Sequence, residues 1–252
     1  LLDKGYVVYG AARSEDKLKY LDKYSDGRYQ IMDITEAEMR ENCVQQILKA
    51  EDKIDILINN AGYGSFGAVE EVALDEVKRQ FEVNLFGLSE LSKLVIPVMR
   101  ENHSGKIINI SSVGGKVWTP LGGWYHASKF ALEGLSDCLR NELKDFGIDV
   151  ILIEPGAIKS KWAEITAQNL LKVSGDGPYQ ERAHKSAEKY KKMYADGGMA
   201  VESEVIAKII LKAIESRRPK ARYAAPLHAK SLLFFRWLLP DSIYDYFVNK
   251  FF

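Results

Sequence analysis

Short runs rich in Val and Ile alternate with stretches of helical periodicity through the first two-thirds of the chain, and nothing else in it restricts the possible folds so much. Runs at residues 6–12, 28–32, 54–59, 106–111 and 149–154 read as strands, with a weaker one at 222–225. Most are nearly continuous in apolar residues, the mark of strands buried on two faces. Helical patterns occupy residues 14–20, 36–50, 74–101, 123–146 and 202–216. Parallel strands need long crossovers, so this succession predicts an α/β fold, a doubly wound parallel sheet with helices on both faces. Ser14 before acidic residues, and Thr35 before Glu36 and Glu38, read as helix N-caps. Pro97, late in the third helical segment, is expected to kink or shorten it.

The 252 residues are 46% hydrophobic, enough for one domain, 1–252, with a substantial core. Lys and Arg number 35, as do Asp and Glu, so the balance of charge offers no electrostatic case for nucleic acid as a partner. Cys43 and Cys138 are far apart and form no CxxC pair, and His103, His126, His184 and His228 lack metal-ligand spacing. Neither a disulfide framework nor a metal site is expected, and the histidines read as surface or packing residues. No basic stretch followed by an apolar run and a cleavage site opens the chain, and the longest apolar run is too short to span a bilayer, so a cytoplasmic location is expected.

Two segments depart from the alternation. Residues 157–200 are polar, rich in Lys and punctuated by Gly175, Gly177, Pro178, Gly197 and Gly198, as a substrate lid or a solvated excursion would be. The extension 226–252 crowds Leu232, Leu233, Phe234, Phe235, Trp237, Leu238 and Leu239 before Pro240, then repeats Ile243, Phe247 and Phe251 at four-residue spacing. Such a tail covers the substrate cavity, packs on a second subunit, rests on a membrane surface or folds back into its own core.

The chemistry-bearing residues lie at strand ends. Tyr125 and Lys129 are four apart on a predicted helix, hence on one face, where an ammonium favours a phenolate. Bringing a tyrosine from its ordinary pKa of about 10 to near 7 takes about 4 kcal/mol. The result is a general acid/base for an alcohol or carbonyl oxygen. The same spacing also arises by chance on helix surfaces, so its neighbours decide. Ser112 ends a predicted strand thirteen positions upstream, Asn59-Asn60-Ala61-Gly62 ends another, and Pro155-Gly156 ends a third. Ligands of open parallel sheets bind outside these carboxyl ends.

In these motifs, and in Asn84 of Val83-Asn84-Leu85 and Ser160 after Pro155-Gly156, the chain resembles the short-chain dehydrogenase/reductase family in its roughly 250-residue form. The resemblance is firm over 5–160. It implies a Rossmann-like sheet, with Tyr125 as proton donor or acceptor, Lys129 lowering its pKa and holding the nicotinamide ribose, and Ser112 bonding the substrate oxygen. Asn84 would hold a proton-relaying water, or else serve as a kink or cap. Asp33 and Ile34 would meet the adenine, unless Asp33 is only a helix cap. Asn60, Ala61, Gly62, Pro155, Gly156, Ile158 and Ser160 would line the remaining cofactor path. NAD-preferring relatives place an acid after the strand that here ends at Ala12; Arg13 and Ser14 suit a ribose 2′-phosphate instead, so NADP(H) is preferred over NAD(H).

The implied activity is interconversion of a hydrophobic ketone or aldehyde with its alcohol. Tyr63-Gly64-Ser65-Phe66-Gly67 and the aromatic tail look most like hydroxysteroid, retinol and acylglycerone-phosphate reductases. A homodimer or homotetramer through the long helices 74–101 and 123–146 is implied. A catalytically silent nucleotide-binding scaffold of the same fold is the alternative. One departure from the family is plain: its first strand and TGxxxGxG turn do not precede Tyr6. The expectation is a chain that lacks a central strand as written, with apolar faces and unpaired backbone on both neighbours and weak or no binding of NADPH.

Overall fold

The computed structural model of the chain describes residues 1–24, 27–160 and 162–251. Parallel strands form two sheets. Strand β1 (Val8–Ala12) pairs with β2 (Gly27–Ile31), and β3 (Ile56–Asn59), β4 (Gly105–Ile110), β5 (Ile148–Pro155) and β6 (Arg222–Ala225) follow one another in the second. Every named strand lies within about two residues of its predicted place.

Side chains alternate across β4 and β5, and the two sets build separate cores. Ile107 and Val150 face one way, against Cys43 and Val44 of α1 (Ala37–Glu51), Leu91, Val95 and Met99 of α3 (Gly87–Glu101) and Leu143 of α4 (Gly123–Leu143). Ile108, Ile151 and Ile153 face the other way, against Ile206, Ala213 and Ile214 of α7 (Glu204–Glu215). Helices therefore cover both faces, as expected of a doubly wound sheet.

A cavity of 1450 Å³ separates the sheets, lined by Val8, Tyr9, Ala11 and Ala12 on one side and by Ile56, Leu57, Ile58 and Asn59 on the other. Each of β1 and β3 has its ladder partner on the side away from this cavity. Among the described residues no strand pairs with β1 or β3 across this cavity.

Several local expectations are corrected. Residues 14–20 form two short 3₁₀ turns, Glu15–Lys17 and Lys19–Lys23, and Ser14 makes no side-chain cap bond. Leu18 and Leu21 anchor these turns, too little apolar surface to sustain an α-helix. Thr35 is not the cap of α1; that position is Glu36, while Thr35 donates its amide and hydroxyl to the Asp33 carboxylate. The segment 74–101 breaks not at Pro97, which sits inside α3, but at a π-helical turn, Glu82–Phe86, between α2 (Leu74–Phe81) and α3. The extra residue of that turn places Asn84 in the interior, and its side-chain hydrogen bonds there make the distortion worthwhile.

Segment 157–200 folds into α5 (Trp162–Ser174) and α6 (Gln180–Tyr194), and the tail into α8 (Leu227–Leu238) and α9 (Asp241–Phe251). Among the described residues no helix is long and apolar enough to cross a membrane.

Candidate active site

A ladder of buried amides sets the frame of the site. Asn59, the last residue of β3, donates its Nδ2 to Asn109 Oδ1 at 2.8 Å and to Ser92 Oγ at 3.0 Å, and Asn109 donates to Ser136 Oγ at 2.9 Å. These bonds tie β3 and β4 to α3 and α4 so that the strand ends and the helix carrying Tyr125 hold one register. Buried side-chain donors need such partners, and although Asn59 Oδ1 has none, the paired donors hold the set together. Sequence reasoning noticed Asn59 and Asn109 only as parts of motifs, because their partners lie on other elements.

Asn84 continues the frame. Its Oδ1 accepts from the Tyr63 amide at 3.0 Å, while its Nδ2 donates to Tyr63 O at 2.9 Å and to Ser128 Oγ at 3.1 Å. It therefore clamps the loop that follows Asn60-Ala61-Gly62 onto α4. A Cβ added to Gly62 would stand 3.3 Å from Asn84 Oδ1 and 3.5 Å from Lys129 Nζ. The loop thus meets α4 at a glycine.

Ser112 and Tyr125 come together as expected. The Gly114 amide donates to Ser112 Oγ at 3.0 Å and fixes its rotamer. Burial pushes the Tyr125 phenol up from its ordinary value, and the hydrogen-bonded Ser112 hydroxyl draws it back. The reason is the surroundings: Phe66 and Trp162 stand 5.4 and 5.7 Å from the Tyr125 ring, and an anion there loses its hydration. Lys129 donates to Ile110 O at 2.9 Å, and burial lowers its pKa to about 8, with Glu133 opposing that shift.

His126, first assigned to surface or packing, has a definite structural task. Its Nε2 accepts from the Thr119 amide at 3.1 Å, which leaves Nδ1 to donate to Gly114 O at 3.0 Å. Burial lowers its pKa, so the ring is neutral and pins both ends of the loop between Ser112 and Tyr125.

Helices α5 and α6 close over Tyr125. Trp162, Tyr190 and Tyr194 contribute the upper wall, and Phe66 of the Tyr-Gly-Ser-Phe-Gly motif forms the lower one. A Cβ on Gly64 would lie 2.9 Å from Trp162 Cζ2, so that glycine is needed for the indole to seat.

The expected cofactor contacts fall in two groups. Arg13, Asp33, Ile34, Asn60, Ala61 and Gly62 line the cavity between the sheets, with Arg13 Nη1 4.0 Å from Asp33 Oδ2. Exposed backbone at Ala61 and Gly62 and an exposed guanidinium fit the phosphate and sugar of a dinucleotide. Pro155 ends β5, and Gly156, Ile158 and Ser160 follow it; none of the four is on that cavity. Ile158 bridges to Val201, the exposed Ser160 accepts from the Trp162 amide at 3.3 Å, and a Cβ on Gly156 would stand 2.9 Å from His228 Nε2. Ser14 is half-buried beside Arg13 and is not among the cavity residues. No cluster of metal-ligating side chains occurs among the described residues.

Comparison with known proteins agrees with this geometry. The profile of the family described as short chain dehydrogenase matches residues 1–170. A probable short-chain type dehydrogenase/reductase, VdlC of Helicobacter pylori, is 37% identical over 245 residues, 97% of this chain and 88% of that protein. An NADPH-dependent 3-dehydrocapnine reductase of Ornithobacterium rhinotracheale is 31% identical over 264 aligned positions, with the same coverages of 97% and 88%. A crystal structure of a short-chain dehydrogenase from Streptomyces avermitilis superposes with a TM-score of 0.81 at 28% identity, covering 98% of this chain and 88% of that one. With the sheet, the strand-end motifs and these matches in agreement, the chain belongs to the short-chain dehydrogenase/reductase family of NAD(P)-binding oxidoreductases.

Proposed function

We propose that the protein is an NADP(H)-dependent carbonyl reductase, or alcohol dehydrogenase in reverse, for a hydrophobic ketone or aldehyde and its alcohol, with Tyr125 as the general acid/base. The observation that carries this reading is Ser112 hydrogen-bonded to Tyr125 beneath an aromatic roof, with Lys129 and Asn84 converging on Gly62.

When bound, NADPH supplies the hydride that the carbonyl carbon receives. The Ser112 hydroxyl, oriented by the Gly114 amide, donates to the substrate oxygen, and Tyr125 delivers a proton to that oxygen as charge develops there. Lys129 holds the ribose and stabilises the phenolate left behind. The side chain of Asn84 is spent on Tyr63 and Ser128, so a relay water at this position would be held by main-chain groups of the π turn. Arg13 at the cavity, together with the NADPH named for the Ornithobacterium relative, supports the phosphorylated cofactor. Apolar and aromatic walls around Tyr125 support a hydrophobic substrate, and α5–α6 serve as its lid.

Exposed Phe86 and Phe130, at the end of the π turn that precedes α3 and along α4, support self-association there into a dimer or tetramer. The test of the chemistry is turnover of a panel of hydrophobic ketones with NADPH by the natural protein and its Tyr125→Phe variant. A loss of about 10³-fold in kcat is expected. Undiminished turnover in the variant refutes the mechanism, and inactivity of both proteins on all carbonyls favours the silent scaffold.

A further inference from the structure

The last two helices turn their apolar faces outward. On α8, Phe234, Phe235, Trp237 and Leu238 are exposed, Trp237 at 78%, whereas Ala229 and Arg236 face inward. On α9, Ile243, Tyr246 and Phe247 are exposed while Tyr244 and Val248 are buried. An ordinary surface helix does the reverse. Leu233 of α8 and Tyr244 and Val248 of α9 pack into one cluster with Val117 and Trp118, so the two helices share an inner side and leave their other apolar residues outward.

Charge identifies what fits this surface. Lys230 stands with Phe234 and Trp237 on the outer side of α8, and Lys250 with Tyr246 and Phe247 on that of α9, both exposed. Basic α6 adjoins the patch: Lys189 Nζ lies 4.2 Å from the Phe251 ring, and Arg182 donates to Asn249 at 2.8 Å. Of the nearby acids, Asp241 is engaged by Arg236 and Asp245 by the Trp118 indole. A twofold pairing of this face with a second copy would gather the Lys230 and Lys250 cations of both copies into one interface. Exposed aromatics flanked by lysines instead match the boundary between anionic headgroups and acyl chains.

We infer that the outer face of α8–α9 docks on an anionic lipid bilayer surface. This goes beyond the redox chemistry and does not depend on it. The inner side of α8 and α9 packs on the loop that runs from Ser112 toward Tyr125.

The test is co-sedimentation of the natural protein with phosphatidylcholine vesicles, with and without phosphatidylglycerol. Binding to the anionic vesicles is expected, weakened about thirtyfold in Lys230→Gln/Lys250→Gln and abolished in Phe234→Glu/Trp237→Glu. Tyr125→Phe is expected to bind like the parent, which separates docking from catalysis. Without any change to the patch, vesicles should shift the parent's tryptophan emission to the blue, and Trp237→Phe should remove most of the shift. Absence of binding, equal binding to neutral and anionic vesicles, or a dimer that Phe234→Glu/Trp237→Glu converts to monomer would each overturn the inference.

Discussion

Asn84 offers the sharpest test of how the site is held. It is fully buried, and its amide makes three hydrogen bonds, two with the Tyr63 main chain and one with Ser128. Replacement by Ala strands the Tyr63 amide. Tyr63 O keeps a long bond from Gln80 Nε2 at 3.4 Å, and Ser128 keeps its bond to Tyr125 O at 2.7 Å, so those two lose less. An orphaned buried donor costs about 1–3 kcal/mol and each weakened bond about 0.5–1 kcal/mol, so Asn84→Ala should lose about 3 kcal/mol. Urea unfolding followed by tryptophan fluorescence measures this as a fall in midpoint at unchanged slope. Asn84→Asp adds a sign test. The Asp can accept from Tyr63 N as a carboxylate, but can donate to Tyr63 O only when protonated. Its folded pKa is thus raised, its stability is fully present below the unfolded value of about 3.9, and the deficit against the parent grows as pH rises above that. A loss under about 1 kcal/mol in Asn84→Ala, or a pH-independent deficit in Asn84→Asp, would refute the clamp.

Further outcomes follow from the charged groups. Arg13→Glu should reverse the preference from NADPH to NADH in equilibrium binding, with an at least tenfold loss for NADPH; an unchanged preference would remove Arg13 from the 2′-phosphate site. Glu154 is buried near Glu133, and its pKa is raised from 4.5 to about 7, chiefly by burial, with Arg222 and Lys116 opposing. Its contribution to stability is therefore complete below pH 4.5 and lost as pH rises to about 7, and Glu154→Gln should flatten the parent's decline across that window in thermal melts. Lys129, held at about 8 by burial, should give kcat/KM for ketone reduction a descending limb near that pH, which Lys129→Arg displaces upward.

Much of the architecture was legible from the chain alone because periodicity is local. The runs containing Ile56–Ile58, Ile107–Ile110 and Val150–Ile153 announce buried parallel strands, and motifs at their carboxyl ends necessarily gather at one edge of a parallel sheet. Ser112, Tyr125 and Lys129 therefore group together from their sequence positions alone. The π turn at Asn84 was not legible, since helix periodicity runs through residues 74–101 and only the Tyr63 loop, twenty-one positions earlier, calls for the extra residue. The neutral, loop-pinning His126 and the Asn59–Asn109–Ser136 ladder were hidden for the same reason: each joins elements distant in sequence.

The amino-acid sequence by itself determined the parallel α/β plan, the edge at which chemistry occurs and the residue types gathered there, because strand burial and helix spacing depend on near neighbours. Tertiary structure alone decided the surroundings of the site and the aspect of the tail. Burial pushes the Tyr125 phenol up because aromatic side chains from three segments exclude water from it. The tail presents its aromatics outward because Leu233, Tyr244 and Val248 meet the limited apolar surface of the 113–118 loop, which leaves Phe234, Trp237 and Phe247 without room inside. Desolvation and the direction of a helix face depend on what packs across the fold, and that information is distributed over the whole chain.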